Sequence, residues 1–150
     1  MAATGSMNLR RLGALSLGAA WLASAGLVAE AGAQGRPFSG TAPTEPINTL
    51  RELRQAFFAC MKPPPRDQSR TGMELTIRFS ITNSGDILGE PHFTFATPDV
   101  PADIRASYQR AMSDAFKLCV PFPLTPSFGA AVAGRPQALR FIDTRGQRKA

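Results

Sequence analysis

The chain has 150 residues, of which 43% are hydrophobic and 19% are charged, and its 17 basic and 11 acidic side chains give a net charge of +6. This composition is typical of one small globular domain and excludes a disordered chain. The two cysteines and one histidine cannot form a closed four-ligand zinc site without carboxylates. A Ser-His-Asp set is possible only around His92.

Residues 1–33 have the layout of a secretory signal peptide. The basic pair Arg10-Arg11 precedes the charge-free run Leu12–Ala29, and Ala31-Gly32-Ala33 is a small-x-small cleavage site. We predict cleavage after Ala33 and a periplasmic or secreted mature chain, with no membrane span left after cleavage. The alternative is a retained inner-membrane anchor, because the charge-free run is long for a signal peptide.

Export changes how the two cysteines are interpreted. In an oxidising compartment, two cysteines in a small domain usually pair, so we predict a disulfide between Cys60 and Cys119. It would close a loop of 59 residues. The alternative is two buried free thiols.

The domain is expected over residues 44–144, between a flexible linker at 34–43 and a basic tail at 145–150. The linker is rich in Gly, Pro, Ser and Thr. Apolar residues at helical spacing predict a first helix over Pro46–Met61, with Thr44 as its N-cap. Pro63-Pro64-Pro65 then ends this helix.

The next segments alternate apolar and polar residues, as β-strands with one buried face do. Met73–Asn83 and Ile87–Ala96 predict a hairpin, with both Phe93 and Phe95 of its second strand on the buried face. Gly89 and Pro91 interrupt that second strand and indicate an edge position or a bulge.

The C-terminal half contains one more helix and one more strand. The helix is predicted over Pro101–Cys119, with Asp99 as its cap. Leu124–Pro136 is interpreted as a loop, and Ala138–Asp143 as the last strand. The predicted fold is therefore α+β with the order α-β-β-α-β. It has a three-stranded antiparallel sheet in the order 2-1-3, with both helices on one face.

Four segments share their order and spacing with a known family. Glu74–Gly85 corresponds to its first strand and turn, Ala111–Pro126 to its second helix and Pro-x-Pro exit, and Gln137–Asp143 to its last strand. Cys60–Pro64 corresponds to the end of its first helix. In these segments the chain resembles the C-terminal domain of TonB and TolA, and TolA more closely. The resemblance implies a non-catalytic periplasmic protein-interaction module without cofactor or metal. We expect a stand-alone domain, because the predicted linker at 34–43 is too short for the long spacer of full transducers.

The resemblance also implies where a partner binds. Family members recruit a segment of an envelope protein by adding a strand to the last strand of the sheet, an interaction called β-augmentation. The residues of that edge strand are Ala138, Leu139, Arg140, Phe141, Ile142 and Asp143. The alternative at this edge is a tail, Arg145–Ala150, that folds back and covers it.

A second function class stays open at this stage. The chain could be a small secreted or envelope binding protein for a peptide or an acidic polymer, without any role in energy transduction. Nucleic-acid binding is not expected, because the basic residues are scattered and not interleaved with aromatic ones. His92 is interpreted as a solvated strand residue, so no enzymatic activity is expected.

Overall fold

The computed structural model describes residues 37–146, so the predicted signal peptide and its cleavage site lie outside the described residues, as do positions 147–150 of the predicted tail. The elements are α1 (Leu50–Cys60), a 3-10 turn (Arg66–Gln68), β1 (Glu74–Ile81), β2 (Ile87–Ala96), α2 (Ala102–Cys119), α3 (Pro126–Val132) and β3 (Gln137–Ile142). No helix between residues 37 and 146 is long and apolar enough to cross a membrane.

The three strands form one antiparallel sheet in the order β2-β1-β3, which confirms the predicted fold class and strand order. One face of the sheet is buried by alternate residues of β1 and β3. They are Leu75, Ile77, Phe79, Ile81, Leu139 and Phe141. Rings from both long helices pack against this face: Phe116 of α2 lies 5.0 Å from Phe79, and Phe58 of α1 lies 6.1 Å from Phe141.

The first helix begins at Leu50, four residues later than predicted, and Thr49 caps it instead of Thr44. The Oγ1 atom of Thr49 accepts a hydrogen bond from the N–H of Glu52 at 3.2 Å, and Oε2 of Glu52 accepts one from the N–H of Asn48 at 2.7 Å. The preceding residues are held elsewhere, because Ile47 forms a parallel β-bridge with Leu124. Thr49 and Glu52 have the Thr-x-x-Glu spacing of a capping box, except that Glu52 bonds the N–H of Asn48, one residue before the cap.

Removal of this cap gives a small, specific loss of stability. Thr49→Ala is expected to lower the free energy of unfolding by about 1 kcal/mol, because one backbone N–H at the start of α1 loses its acceptor. Urea unfolding measures this difference. Thr44→Ala is the matched control, since Thr44 is exposed and is expected to change stability by less than about 0.5 kcal/mol. Equal losses in both variants would contradict the assignment of the cap.

Two further boundaries differ from the sequence prediction. Asp99 does not cap α2: it has a left-handed φ of 56°, and the N-cap is Pro101, which makes no side-chain hydrogen bond. The predicted loop Leu124–Pro136 contains α3, which Thr125 caps and which has proline near its N-terminus. The sequence did not predict this helix, because most of its residues are small. One of them, Gly129, is required because its backbone packs directly against the backbone of Asn83.

Two irregularities in β2 change which of its side chains face the core. Thr76 pairs with Phe95 and Ile77 pairs with Phe93, so Thr94 is an extra residue on β2. An extra residue reverses the face of every side chain beyond it. Phe95 therefore lies on the open face of the sheet with 45% of its surface exposed, and its predicted core position is wrong.

The predicted disulfide is present between Cys60 and Cys119, whose Cα atoms are 5.9 Å apart. Cys60 is the last residue of α1, and Cys119 is the last residue of α2. Both are buried. The bond therefore joins the C-terminal ends of the two long helices beneath the sheet.

Candidate functional site

The strand β3 pairs with β1 on one side, and no strand of residues 37–146 pairs with its other side. The N–H of Asp143 donates to the carbonyl oxygen of Met73 at 2.8 Å, which shows the direction of the backbone groups at this point. Since these groups alternate along an antiparallel strand, the N–H and C=O groups of Ala138, Arg140 and Ile142 point away from β1. Between residues 37 and 146, no hydrogen bond reaches them.

The side chain of Arg140 does not cover this free edge. Its guanidinium forms a two-point ion pair with Glu74 of the neighbouring strand, with 2.5 Å from Nε to Oε1 and 2.7 Å from Nη2 to Oε2. The hydrogen bond from Arg140 lowers the pKa of Glu74, so this carboxylate stays ionised. The long basic side chain is thus held over β1, and the backbone edge of β3 stays accessible.

An aromatic cluster lies beside β3 on the helix side of the sheet. The ring of Phe38 is 5.8 Å from that of Phe141 and 6.3 Å from that of Phe58, and it is 38% exposed. The backbone N–H of Phe38 donates to the carbonyl oxygen of Phe58 at 2.7 Å, and that of Gly40 donates to Ala59 at 2.7 Å. This part of the predicted linker is therefore bound to the domain, because it pairs with the last turn of α1.

The C-terminal end of β3 is anchored by a buried carboxylate. Asp143 is 2% exposed and accepts hydrogen bonds from the hydroxyl of Tyr108 at 2.5 Å and from Nη2 of Arg145 at 2.6 Å. Nη1 of Arg145 also donates to the carbonyl oxygen of Pro64 at 2.9 Å. We call Asp143, Tyr108 and Arg145 the Asp143 cluster.

Burial and hydrogen bonding shift the pKa values of Asp143 and Tyr108 in the Asp143 cluster. Burial by itself raises the pKa of Asp143, but hydrogen bonds from Arg145 and Tyr108 outweigh it, and the pKa lies below its ordinary value. Burial, and then the hydrogen bond to Asp143, raises the pKa of Tyr108, so its hydroxyl stays a donor. Every polar group is paired, and the cluster fastens β3 to α2 and to the loop before β1.

The six residues predicted for the edge strand therefore have three different positions. Ala138, Arg140 and Ile142 carry the outward backbone groups, while Leu139 and Phe141 are buried on the helix side. Asp143 lies one residue beyond β3 and is turned into its cluster. Sequence reasoning missed both partners of Asp143. Tyr108 lies 35 positions away, where no local pattern joins the two residues, and Arg145, only two residues on, was assigned to the basic tail.

The described start of the tail, residues 145 and 146, lies beside the Asp143 cluster. The backbone carbonyl of Arg145 accepts a hydrogen bond from the hydroxyl of Thr71 at 2.8 Å. Residue 146 is the last described one, so the alternative of a tail, Arg145–Ala150, that folds back over the edge lies mostly outside the described residues.

The other residues considered from the sequence lie apart from the edge. His92 is exposed on the open face, where it pairs across strands with Arg78. Within residues 37–146, no three His, Cys, Asp or Glu side chains come together to hold a metal ion.

These features define a class of protein: a small disulfide-linked α+β domain in which the outward backbone groups of β3 have no partner within residues 37–146. The chain belongs to the family described as Uncharacterised conserved protein UCP034077, whose model matches residues 43–145. No curated protein and no solved structure matches the chain.

This family assignment shows that the TonB/TolA resemblance is wrong, because the family model that matches is a different one. The resemblance depended on the order and spacing of a strand, a turn, a helix and a proline stop. Those features follow from building any small sheet covered by two helices, and they carry no residue specific to one family.

Proposed function

We propose that this protein is a non-catalytic interaction domain that binds an extended segment of a partner protein along the free edge of β3. The observation that carries the proposal is the row of outward N–H and C=O groups on Ala138, Arg140 and Ile142. Such a row is a template for another strand unless something covers it. The disulfide supports an exported protein in an oxidising compartment such as the periplasm, where the partner would be an envelope protein.

The two sides of the edge define what the partner segment would carry. Alternate side chains of an added strand point to opposite faces of the sheet. On the helix side, they would meet the rings of Phe38 and Phe58, so large apolar side chains fit there. On the open face, they would lie beside Ile142, which is 38% exposed, and beside the Arg140–Glu74 pair. We therefore expect a segment that alternates apolar and polar residues.

The other edge of the sheet is a poorer template. β2 has two register irregularities, and Pro91 within it has no N–H to donate. Gly89 has a left-handed φ of 77°, which interrupts the extended backbone. An added strand would find no continuous row of donors and acceptors there, so β3 is the edge that we assign to the partner.

A proline at the edge tests this function. The full chain, produced with export, is used to capture proteins from an envelope extract, and each captured protein is quantified. Ile142→Pro is expected to reduce the capture of the specific partner by about 10-fold or more, because the ring removes an outward donor and obstructs the incoming strand. Arg140 is not used, since its substitution would also break the ion pair with Glu74.

The matched control is Ile142→Ala, which removes the side chain and keeps the backbone N–H. It is expected to retain most of the capture, and Ala138→Pro is expected to reproduce the loss at the other end of the strand. Circular dichroism and thermal unfolding confirm that each variant is folded. A folded Ile142→Pro variant that captures the same proteins in the same amounts would exclude β3 as the binding edge.

A further inference from the structure

The edge of β3 lacks the features with which proteins usually protect an edge strand. Such features are a proline, a bulge or a charged side chain lying along the edge. β3 contains neither proline nor glycine, and its pairing with β1 is regular from Gln137 to Ile142. Its one charged side chain, Arg140, is held over β1 by Glu74. In the described part of the chain, β3 is therefore open to an extended strand, including the β3 strand of another molecule.

The backbone groups of this edge are complementary to themselves. Ala138, Arg140 and Ile142 point their N–H and C=O groups outwards, and Arg140 is the middle residue of this row. Two β3 strands that pair antiparallel about Arg140 are related by a two-fold axis at this residue. Arg140 then pairs with its own equivalent, and Ala138 of each copy pairs with Ile142 of the other. Every outward N–H and C=O group of both strands has a partner in this register, whereas a shifted register leaves some of them beyond the end of the opposite strand.

The sizes of the side chains at the two ends of the row fit the same register. Ile142 carries a large apolar side chain that is 38% exposed, and Ala138 carries only a methyl group. Both lie on the open face of the sheet, where Ile142 is opposite Glu74 and Ala138 is opposite Arg78. Pairing about Arg140 places each Ile142 opposite an Ala138, so a large side chain always meets a small one. The second copy thereby covers exposed apolar surface without a clash between two large side chains.

The charge of Arg140 does not oppose this pairing. Like charges directly opposite each other on neighbouring strands are destabilising. Here the guanidinium of Arg140 turns away from the edge and forms two hydrogen bonds with the carboxylate of Glu74. The guanidinium groups of the two copies would therefore point in opposite directions, and each would be neutralised by its own Glu74. Only the backbone of Arg140 takes part at the two-fold axis.

The helix side of the edge also presents apolar surface. The ring of Phe38 is 38% exposed and lies 5.8 Å from that of Phe141 and 6.3 Å from that of Phe58. In the register centred on Arg140, Phe141 is opposite Leu139 of the second copy. The Phe38 ring therefore lies at the boundary between the two copies, and its burial adds a hydrophobic contribution to the backbone hydrogen bonds.

We propose that a second copy of this chain occupies the β3 edge, through antiparallel pairing of the two β3 strands about Arg140. The two three-stranded sheets then form one continuous sheet. This inference rests on the proposed function in taking β3 as the binding edge, and it names the occupant of that edge in the isolated protein. A segment of an envelope protein would bind by displacing the second copy. Since each copy contributes one short strand, the interface is small, and we expect a dissociation constant of roughly 10–100 µM.

Sedimentation equilibrium of the full chain, produced with export, measures this self-association between about 1 µM and 1 mM. We expect monomers at the lowest concentration and mostly dimers at the highest. Ile142→Pro is expected to weaken dimerisation by about 10-fold or more, because each copy loses an outward donor and the ring obstructs the other strand. The matched control is Phe95→Ala, which removes an exposed apolar side chain from the same sheet face but from β2. It is expected to leave dimerisation unchanged.

NMR of a mixture of isotope-labelled and unlabelled protein tests the register. An NOE between the copies is expected to join the Hα atoms of Leu139 and Phe141, because the Cα atoms of such directly opposite residues are about 4.5 Å apart. If Ile142→Pro does not fold, this NOE decides. A protein that is monomeric at all these concentrations, a folded Ile142→Pro variant that dimerises as strongly as the wild type, or a dimer without this NOE would each overturn the inference.

The failure of this inference is distinguishable from the failure of the proposed function. A monomeric protein whose capture of an envelope protein is lost in Ile142→Pro would overturn the second copy and support the envelope partner. Dimerisation through β3 with no envelope protein captured by the wild type would support the second copy and contradict the envelope partner.

Discussion

Replacement of both Cys60 and Cys119 by alanine is expected to lower the free energy of unfolding by roughly 4 kcal/mol, according to the chain-entropy model. The disulfide closes a loop of 59 residues and joins the ends of α1 and α2. Without it, the unfolded chain gains the conformational freedom that the cross-link removes. A domain of this size has a total stability of about 5–15 kcal/mol, so the loss would be a large part of it.

Urea unfolding with and without dithiothreitol measures this effect. The wild-type protein in reductant keeps both sulfur atoms, so it separates the cross-link from the packing of the two side chains. We expect the free energy of unfolding of the reduced wild-type protein to fall close to that of the alanine variant. The free energy of unfolding of the variant itself is expected not to change with reductant. Wild-type protein that stays as stable with fully reduced thiols would contradict the prediction.

Substitution of the buried carboxylate in the Asp143 cluster has the second-largest expected effect. Asp143→Asn is expected to lower the free energy of unfolding by about 3 kcal/mol, because it removes the negative partner of Arg145 and presents an amide donor to existing donors. Tyr108→Phe removes one hydrogen bond to Asp143 and is expected to cost about 1–2 kcal/mol. Denaturant unfolding of both variants gives these values.

The matched control for Asp143→Asn is Asp114→Asn. Asp114 also pairs with a basic side chain, Lys117, but its own side chain is 67% exposed. An exposed pair contributes little, so this variant is expected to lose less than about 0.5 kcal/mol. Similar losses at the two aspartates would show that the Asp143 cluster does not fasten β3.

The same cluster predicts how stability depends on pH. The pKa of Asp143 is lowered in the folded state, so the unfolded chain takes up this proton first as the pH falls. The stabilisation is complete above the ordinary aspartate pKa of about 4 and is lost as the pH falls through the lower folded value. The free energy of unfolding of the wild-type protein should therefore fall more steeply in acid than that of the Asp143→Asn variant. Parallel acid dependences would contradict this sign.

Local patterns were sufficient for most of the fold. The alternation of Leu75, Ile77, Phe79 and Ile81 predicted β1, and the strand order followed from packing two helices on one face of a hairpin and a third strand. The disulfide could be predicted because only two cysteines are present. The same reasoning failed at Phe95 and α3. A bulge moved Phe95 to the open face, and α3 is a seven-residue helix whose buried side has only two large apolar residues, Phe128 and Val132, too short a pattern to predict a helix.

The candidate site was predicted only in part. The position of β3 at an edge follows from the strand order, which could be predicted from the sequence: alternation located the strands, and the right-handed crossover from β2 to β3 placed β3 beside β1. Which groups remain free at that edge was decided by tertiary contacts: Arg140 turns towards Glu74, and Asp143 turns towards Tyr108. These residues lie 35 and 66 positions apart in the pairs Tyr108–Asp143 and Glu74–Arg140. Hydrophobic periodicity depends only on residues that are close in the sequence. Contacts between side chains that are distant in the sequence are therefore defined only in the folded chain.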